Sequence, residues 1–278
     1  MENGNKDKWI AMAIYEALGT SFIMYALMME RGVFGPACIF VTMAMMVIAW
    51  NVSGGHFNPA ISLGVYISEK KFGENLVPLL IMIVGQFAGA FLGLLFGYLA
   101  LVAKDDMQTA ADLLQADYNA SVPESWLGMI IPKTASNRAD IGTATDGFSR
   151  DWQTFWAMLV TSLILVLTVV SVKSKATQIS AEPMLQVFAV TLVLLAMPMM
   201  NVLFGTAGFN PALASAYIMF EVMEYDTPNQ YYTGTELNHY LWAYIIGPLV
   251  GAVAAGFLHI IHSKCSAKKG SSSDETLL

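Results

Sequence analysis

Long stretches without a charged side chain constrain this protein more than any other feature of its sequence. Residues 75–103, 152–172 and 237–263 contain no Asp, Glu, Lys or Arg, and residues 9–29 contain only Glu16. A hydrocarbon core about 30 Å thick is crossed by about 20 apolar residues in a helix. Each of these four stretches therefore predicts one transmembrane helix.

Two further uncharged stretches, 32–68 and 183–220, are too long for one span and too short for two spans with a turn. Glycines and a polar turn interrupt both, as Ser-Gly-Gly-His-Phe-Asn-Pro-Ala at 53–60 and Gly-Thr-Ala-Gly-Phe-Asn-Pro-Ala at 205–212. Backbone that is not helical at membrane depth is tolerated only inside protein or along a watery cavity. Each stretch therefore predicts a full span plus a half-span, and the two interruptions predict a pore.

The pattern of spans and interruptions occurs twice. Leu-Gly-Thr-Ser at 18–21 and Leu-Val-Thr-Ser at 159–162 precede the two polar turns, and small residues at four-residue spacing follow them. Each half has three spans, so the second half enters the membrane from the opposite side. The sequence predicts an all-α membrane protein with six transmembrane helices, two re-entrant half-helices and an inverted 3+3 repeat.

The distribution of lysine and arginine predicts the orientation, because cytosolic segments carry the excess. With both termini in the cytosol, the cytosolic side has Lys6, Lys8, Lys70, Lys71, Lys173, Lys175, Lys264, Lys268 and Lys269, and the outer side has Arg31, Lys104, Lys133, Arg138 and Arg150. The predicted divisions are a cytosolic N-terminus (1–8), a first repeat (9–103), a long outer loop (104–151), a second repeat (152–263) and a disordered cytosolic tail (264–278).

Composition excludes several classes of function. Charged residues make up 13% of the chain, about half of the roughly 25% that is typical of soluble domains. A formal net charge of −7 argues against nucleic acid as a partner. The cysteines and histidines are few and scattered, and no nucleophile lies in a pattern with a base. We therefore expect no metal, no cofactor and no enzyme activity.

The two Asn-Pro-Ala turns predict helix starts at the pore, because Asn is a favoured N-cap and Pro is favoured at the first helical position. In an inverted repeat the two half-helices enter from opposite faces, and their N-termini meet. Each N-terminus carries about half a positive charge, which repels cations. The asparagine amides can donate hydrogen bonds to the oxygen of a neutral solute. The predicted pore motif comprises Asn58, Pro59, Ala60, Asn210, Pro211 and Ala212.

These features resemble the aquaporin, or major intrinsic protein, family. The matching stretches are Glu-Ala-Leu-Gly-Thr at 16–20, the two Asn-Pro-Ala segments, Gly-Gln-Phe-Ala-Gly at 85–89 and Gly-Pro at 247–248, within a resemblance over about 9–262. It implies a passive channel for water or small uncharged solutes, with a pore in each protomer of a homotetramer. The alternative is a non-conducting member that serves as a scaffold or as a subunit of a larger membrane complex.

The chain departs from the family at the selectivity filter. The family normally has an Arg directly after the second Asn-Pro-Ala, and Leu213 stands there in this chain. Gap-free counting places Cys38, Pro198 and Ala207 at the other three filter positions. A filter without charge or strong donors predicts a wider, apolar pore that admits glycerol, urea, ammonia or hydrogen peroxide as well as water. The same lining also suits a hydrophobic plug at Leu213.

The resemblance also predicts how the re-entrant loops are anchored. The family keeps a buried Glu in each half, but here Glu16 has Ala157 as its counterpart. A carboxylate inside a membrane requires partners, so Glu16 is expected to accept hydrogen bonds from the loop before Asn58. His56, in that loop, is expected to have a structural hydrogen-bonding role.

The outer loop and the tail carry three further expectations. Asn119 is a candidate glycosylation site in the 104–151 loop, which either binds a protein partner or covers the outer vestibule passively. The acidic ending with two leucines at 274–278 suggests an endosomal or vacuolar membrane besides the plasma membrane.

Overall fold

The computed structural model describes residues 2–30, 34–102, 150–201, 207–225 and 241–270, and these form helices and turns without a strand. Eight helices lie within those ranges. In chain order they are α1 (Glu2–Met29), α2 (Pro36–Ala49), α3 (Pro59–Glu69), α4 (Phe72–Val102), α5 (Arg150–Lys173), α6 (Pro183–Met200), α7 (Pro211–Tyr225) and α8 (Leu241–Gly270).

Five of the eight described helices have the length and composition of a full span. By length and composition, α1, α4, α5, α6 and α8 are long and apolar enough to cross a membrane. Helix α2 has 14 residues, which corresponds to about 21 Å and is shorter than the predicted full span. Helices α3 and α7 begin at the prolines of the two Asn-Pro-Ala turns. The predicted all-α architecture with two half-helices is confirmed.

The two halves are packed alike. Helix α1 packs along α4 in the first half, and α5 packs along α8 in the second half, while α2 meets α6 across the middle. The contact between α1 and α4 is close because of glycine: a Cβ on Gly85, Gly89 or Gly93 would lie 2.6, 2.2 or 2.1 Å from a carbonyl oxygen of α1. The small residues of α4 therefore serve packing within the chain.

Many large apolar side chains face outward, and several polar side chains are buried within a mainly apolar core. Glu16 and Gln86 have no exposed surface, whereas Phe40, Val84 and Met199 are 67%, 68% and 75% exposed. Such an apolar exterior is stable in contact with lipid, and the polar groups inside it need partners within the protein.

One segment prediction changes with the structure. Helix α8 continues to Gly270, so residues 264–270 are helical, although 264–278 was predicted to be disordered. After Gly256 this stretch contains no helix-breaking residue until Gly270, and lysines near a helix C-terminus are favourable. The 104–149 part of the outer loop, with Asn119, and residues 271–278 lie outside the described residues.

Candidate pore between the two half-helices

The N-termini of α3 and α7 are joined by reciprocal hydrogen bonds. Asn58 Nδ2 donates to the Phe209 carbonyl at 3.2 Å, and Asn210 Nδ2 donates to the Phe57 carbonyl at 2.9 Å. Each asparagine also caps its own helix, because its Oδ1 accepts a backbone N–H two residues later, at 2.9 Å in α3 and 3.1 Å in α7. One residue type therefore starts each half-helix and ties it to the other.

A narrow cavity lies beside this junction. Its volume is about 20 Å³, which is close to the room that one water molecule needs. Thr42, His56, Asn58 and Asn210 supply the polar side chains of its lining, and the rest is largely aliphatic and aromatic. A primary amide has two N–H donors, so each asparagine keeps one donor beyond its bond to the opposite loop.

Glu16 of α1 holds the loop that leads into α3. Its Oε1 accepts from the Ser53 hydroxyl at 2.6 Å and from the His56 N–H at 2.9 Å. Its Oε2 accepts from the Phe57 N–H at 2.6 Å and from Gln86 Nε2 at 2.7 Å. The fully buried carboxylate thus has four donors, two of them from the backbone of the loop.

The network continues from Gln86 to His56. Gln86 Nε2 also donates to the Ser62 hydroxyl at 2.8 Å, and this hydroxyl lies 3.1 Å from His56 Nδ1. Because an amide NH2 can only donate, the Ser62 proton is available to His56 Nδ1. The arrangement suits a neutral imidazole whose proton is on Nε2.

Phe57 has a strained backbone that these contacts stabilise. Its φ is +51°, a left-handed value that is uncommon for a residue with a side chain. Glu16 accepts its N–H, Asn210 donates to its carbonyl, and its ring fills the space above Gly19. A Cβ on Gly19 would lie 2.0 Å from that ring. Two hydrogen bonds and the packing of the ring thus hold this loop in one conformation.

The second loop is held differently. Ala157, Ala214 and Pro248 stand where the first half has Glu16, Ser62 and Gln86. Gly208 takes the place of His56, and a Cβ on it would lie 2.5 Å from the Tyr244 ring. Side-chain packing therefore replaces the polar network here.

A hydrogen bond from α5 also supports the second loop. The Ser162 hydroxyl donates to the Phe209 carbonyl at 3.3 Å, so this carbonyl accepts hydrogen bonds from both Ser162 and Asn58. The Phe209 ring meets Phe34 edge-on, with 5.2 Å between the ring centroids.

A wider vestibule of about 500 Å³ opens at the end of the molecule where α1 begins and α8 ends. Lys8 and His259 both line it, so the N-terminal and C-terminal helices reach the same side. His56 lines the vestibule and also the 20 Å³ cavity. A route from the vestibule to the paired asparagines would pass this side chain.

Comparison with known proteins decides the family. The family model described as Major intrinsic protein matches residues 10–259. The chain belongs to the major intrinsic protein family. Members of this family are channels for water or small solutes, and this member is an integral membrane protein.

Two relatives of the same family illustrate the extent of the similarity. An aquaglyceroporin of Toxoplasma gondii is 32% identical over 89 residues, which span 32% of this chain and only 31% of that relative. The crystal structure of the aquaglyceroporin from Plasmodium falciparum matches with a TM-score of 0.68 and 17% identity, over 94% of this chain and 99% of that one. The structural likeness shows the shared fold.

The four predicted filter residues of this family member do not line the 20 Å³ cavity. Ala207 and Leu213 are fully buried, and Pro198 is half-buried inside α6. Cys38 is buried too, and its N–H donates to Glu30 Oε2 at 3.1 Å. Residues 31–33 and 202–206, next to these positions, lie outside the described residues, so the filter stays a prediction.

Sequence reasoning about this family member missed two charged residues. The Glu30 carboxylate accepts the N–H groups of Gly35, Ala37 and Cys38 and so caps α2, at 2.9 to 3.1 Å. An acidic residue shortly before a helix that starts with proline was the feature of the sequence that indicated this cap. Lys173, counted only for orientation, lies at the vestibule, and nothing in the sequence alone relates it to Gly54.

Proposed function

We propose that this protein is a passive channel that conducts water and small uncharged solutes between the two half-helices. The observation that carries the proposal is the reciprocal pair of Asn58 and Asn210 beside a water-sized cavity. Each amide has one N–H donor left for a solute oxygen. The largely aliphatic wall offers a passing molecule few other hydrogen-bonding groups. Two helix N-termini at one point also disfavour a cation there.

Glycerol is the solute that we propose besides water. The Toxoplasma and Plasmodium relatives are named aquaglyceroporins, and the proposed filter of Cys38, Pro198, Ala207 and Leu213 has no charged side chain. An apolar filter without the guanidinium of the family leaves room for the carbon backbone of a polyol. Urea, ammonia and hydrogen peroxide are proposed as further solutes on the same ground.

The assembly and the orientation are part of the proposal. We propose a homotetramer with one pore in each protomer and both termini in the cytosol, in the plasma membrane or an endosomal or vacuolar membrane. The positions of Lys8 and Lys173 at one vestibule agree with a cytosolic vestibule, because lysine is enriched on that side. Asn119 is proposed as a glycan acceptor on the opposite side, and the outer loop as a surface for a protein partner.

Stopped-flow light scattering on proteoliposomes tests the proposal. Vesicles with purified protein are exposed first to a sucrose gradient and then to a glycerol gradient. We expect shrinkage in sucrose faster than in empty vesicles, and faster reswelling in glycerol. The matched variants are Leu213→Arg, which restores the family residue, and Leu213→Met, which keeps an apolar side chain of similar volume. Leu213→Arg should reduce glycerol permeability more than Leu213→Met.

Three outcomes separate the alternatives. Rates equal to those of empty vesicles in both gradients, from protein verified to be folded, would reject the channel and favour the non-conducting scaffold. Water permeation without glycerol permeation would reject the polyol assignment alone. Equal effects of the two Leu213 variants on glycerol would reject the filter role of this position.

A further inference from the structure

Lys173, the last residue of α5, lines the vestibule and makes two contacts there. Its Nζ donates to the Gly54 carbonyl at 2.5 Å and lies 4.9 Å from the centroid of the Trp50 ring. Gly54 has a left-handed φ of +87° and lines the vestibule itself. The side chain is half-buried, so its positive charge stays in one place and is only partly screened by water.

The position of this charge relative to the route is specific. Lys173 and His56 both line the vestibule, and both side chains lie near Gly54, with Lys173 Nζ 3.1 Å and His56 Nε2 3.3 Å from the place of a Cβ on that glycine. His56 also lines the narrow cavity. Lys173 therefore lies beside His56, the residue that the vestibule and the cavity share.

The other charges nearby do not supply the same field. Glu16 is completely buried, has four donors and lines neither cavity. Glu69 and Lys8 line the vestibule, but both are exposed to water. Without Lys173, the Glu16 and Glu69 side chains, which both interact electrostatically with this ammonium, would lose a positive neighbour.

We propose that Lys173 is the residue that excludes cations at this end of the pore, a role that the uncharged Leu213 cannot fill at the other end. The inference rests on the proposed channel function. A fixed positive charge beside a narrow opening with low-dielectric walls repels Na+ and K+ when they come within a few ångströms of it. A neutral solute experiences no net force and can accept a hydrogen bond from the remaining ammonium protons.

The test measures the ratio of cation conductance to water permeability. Lys173→Gln removes the charge and Lys173→Arg keeps it, while Lys175→Gln removes an exposed lysine that does not line the vestibule. Conductance in KCl is recorded in planar bilayers, and water permeability in proteoliposomes of the same preparation. We expect Lys173→Gln to raise the ratio at least about fivefold, and the other two variants to keep the wild-type ratio.

A second variant separates the charge from the tether to Gly54. Lys173→Cys is made in a Cys265→Ser background, because Cys265 is exposed and Cys38 is buried. A cationic methanethiosulfonate reagent should lower the K+ conductance of this variant, and an anionic reagent should raise it. This comparison uses one folded protein, so it remains decisive if Lys173→Gln folds poorly.

The outcomes distinguish the two proposals. If wild-type protein conducts water but the ratio is unchanged in Lys173→Gln, or if both reagents leave the conductance unchanged after complete labelling, the role of Lys173 is rejected and the channel stands. If Lys173→Arg raises the ratio as much as Lys173→Gln does, the lysine acts as a tether and the charge role is rejected. Wild-type protein without water or glycerol permeability would reject the channel itself.

Discussion

The two loops that lead into the half-helices, residues 53–58 and 207–210, reach the same junction through different interactions. The first loop is held by a buried carboxylate whose donors come from two loop N–H groups and two side chains. In the second loop the equivalent positions are small or apolar, and the ring of Tyr244 packs against Gly208. The asparagine caps and their cross-links are common to both.

The two halves therefore share the asparagine caps that start the half-helices. They differ in the contacts that hold the preceding loops in place. The loss of one member of a buried polar network leaves its partners unpaired in a dry interior, which costs stability. Apolar packing depends on volume and shape and responds to changes of size. The two loops should therefore fail under different substitutions.

The largest expected effect comes from removing the carboxylate of the first loop. Glu16→Ala leaves four buried donors without an acceptor, and we expect a loss of about 3 to 5 kcal/mol in the free energy of unfolding. Unfolding in mixed micelles of mild detergent and SDS measures it. Glu16→Gln keeps one acceptor oxygen and should lose less.

The converse substitution checks that the loss belongs to the network. Ala157→Glu places a carboxylate in the second half, where Pro248 and Ala214 cannot donate to it through their side chains, so stability should fall rather than rise. A stabilised Ala157→Glu variant would show that the second loop has donors to spare, and the contrast between the loops would be lost.

Overpacking beneath the first loop should have the next largest effect. Gly19→Ala puts a Cβ 2.0 Å from the Phe57 ring, so the ring must move. The N–H and the carbonyl of Phe57 are both hydrogen-bonded, which resists this movement. We expect about 1 to 3 kcal/mol of destabilisation and slower water permeation. The control is Val160→Ala at the equivalent position, where the side chain is 46% exposed; a larger loss there would contradict the comparison.

The caps should respond equally in the two halves. Asn58→Ala and Asn210→Ala each remove one N-cap bond and one cross-link, and each should cost about 1 to 2 kcal/mol. Thermal unfolding midpoints of the two variants, compared in the same detergent, test the equality. A lower unfolding midpoint in only one of the two variants would show that the two caps have the same geometry but contribute unequally to stability.

The smallest expected effect concerns the Ser162 hydroxyl behind the second loop. Ser162→Ala removes a 3.3 Å hydrogen bond to a carbonyl that Asn58 still satisfies, so we expect about 0.5 kcal/mol. Ser53→Ala, which removes a 2.6 Å bond to a carboxylate, should cost more because bonds to charged groups are stronger. Equal losses in denaturation curves would argue against two kinds of anchoring.

Much of the fold could be predicted because its signals are local. A charge-free stretch of sufficient length specifies a span, and Asn followed by Pro specifies a helix start, whatever lies elsewhere in the chain. Helices α3 and α7 begin at Pro59 and Pro211 for this reason. The end of α8 was predicted wrongly, because a polar and basic tail resembles disorder in composition although nothing in it stops a helix before Gly270.

By itself the sequence determined the membrane class, the positions of the two turns and the repeat, since these follow from the length of apolar stretches and from capping. Only the tertiary structure decided which groups meet at the junction. Asn58 and the Phe209 carbonyl are 151 residues apart, and Lys173 and Gly54 are 119 residues apart. Such pairs depend on which faces of the packed helices come together, and a hydrogen bond forms only where that packing brings a donor within reach of an acceptor.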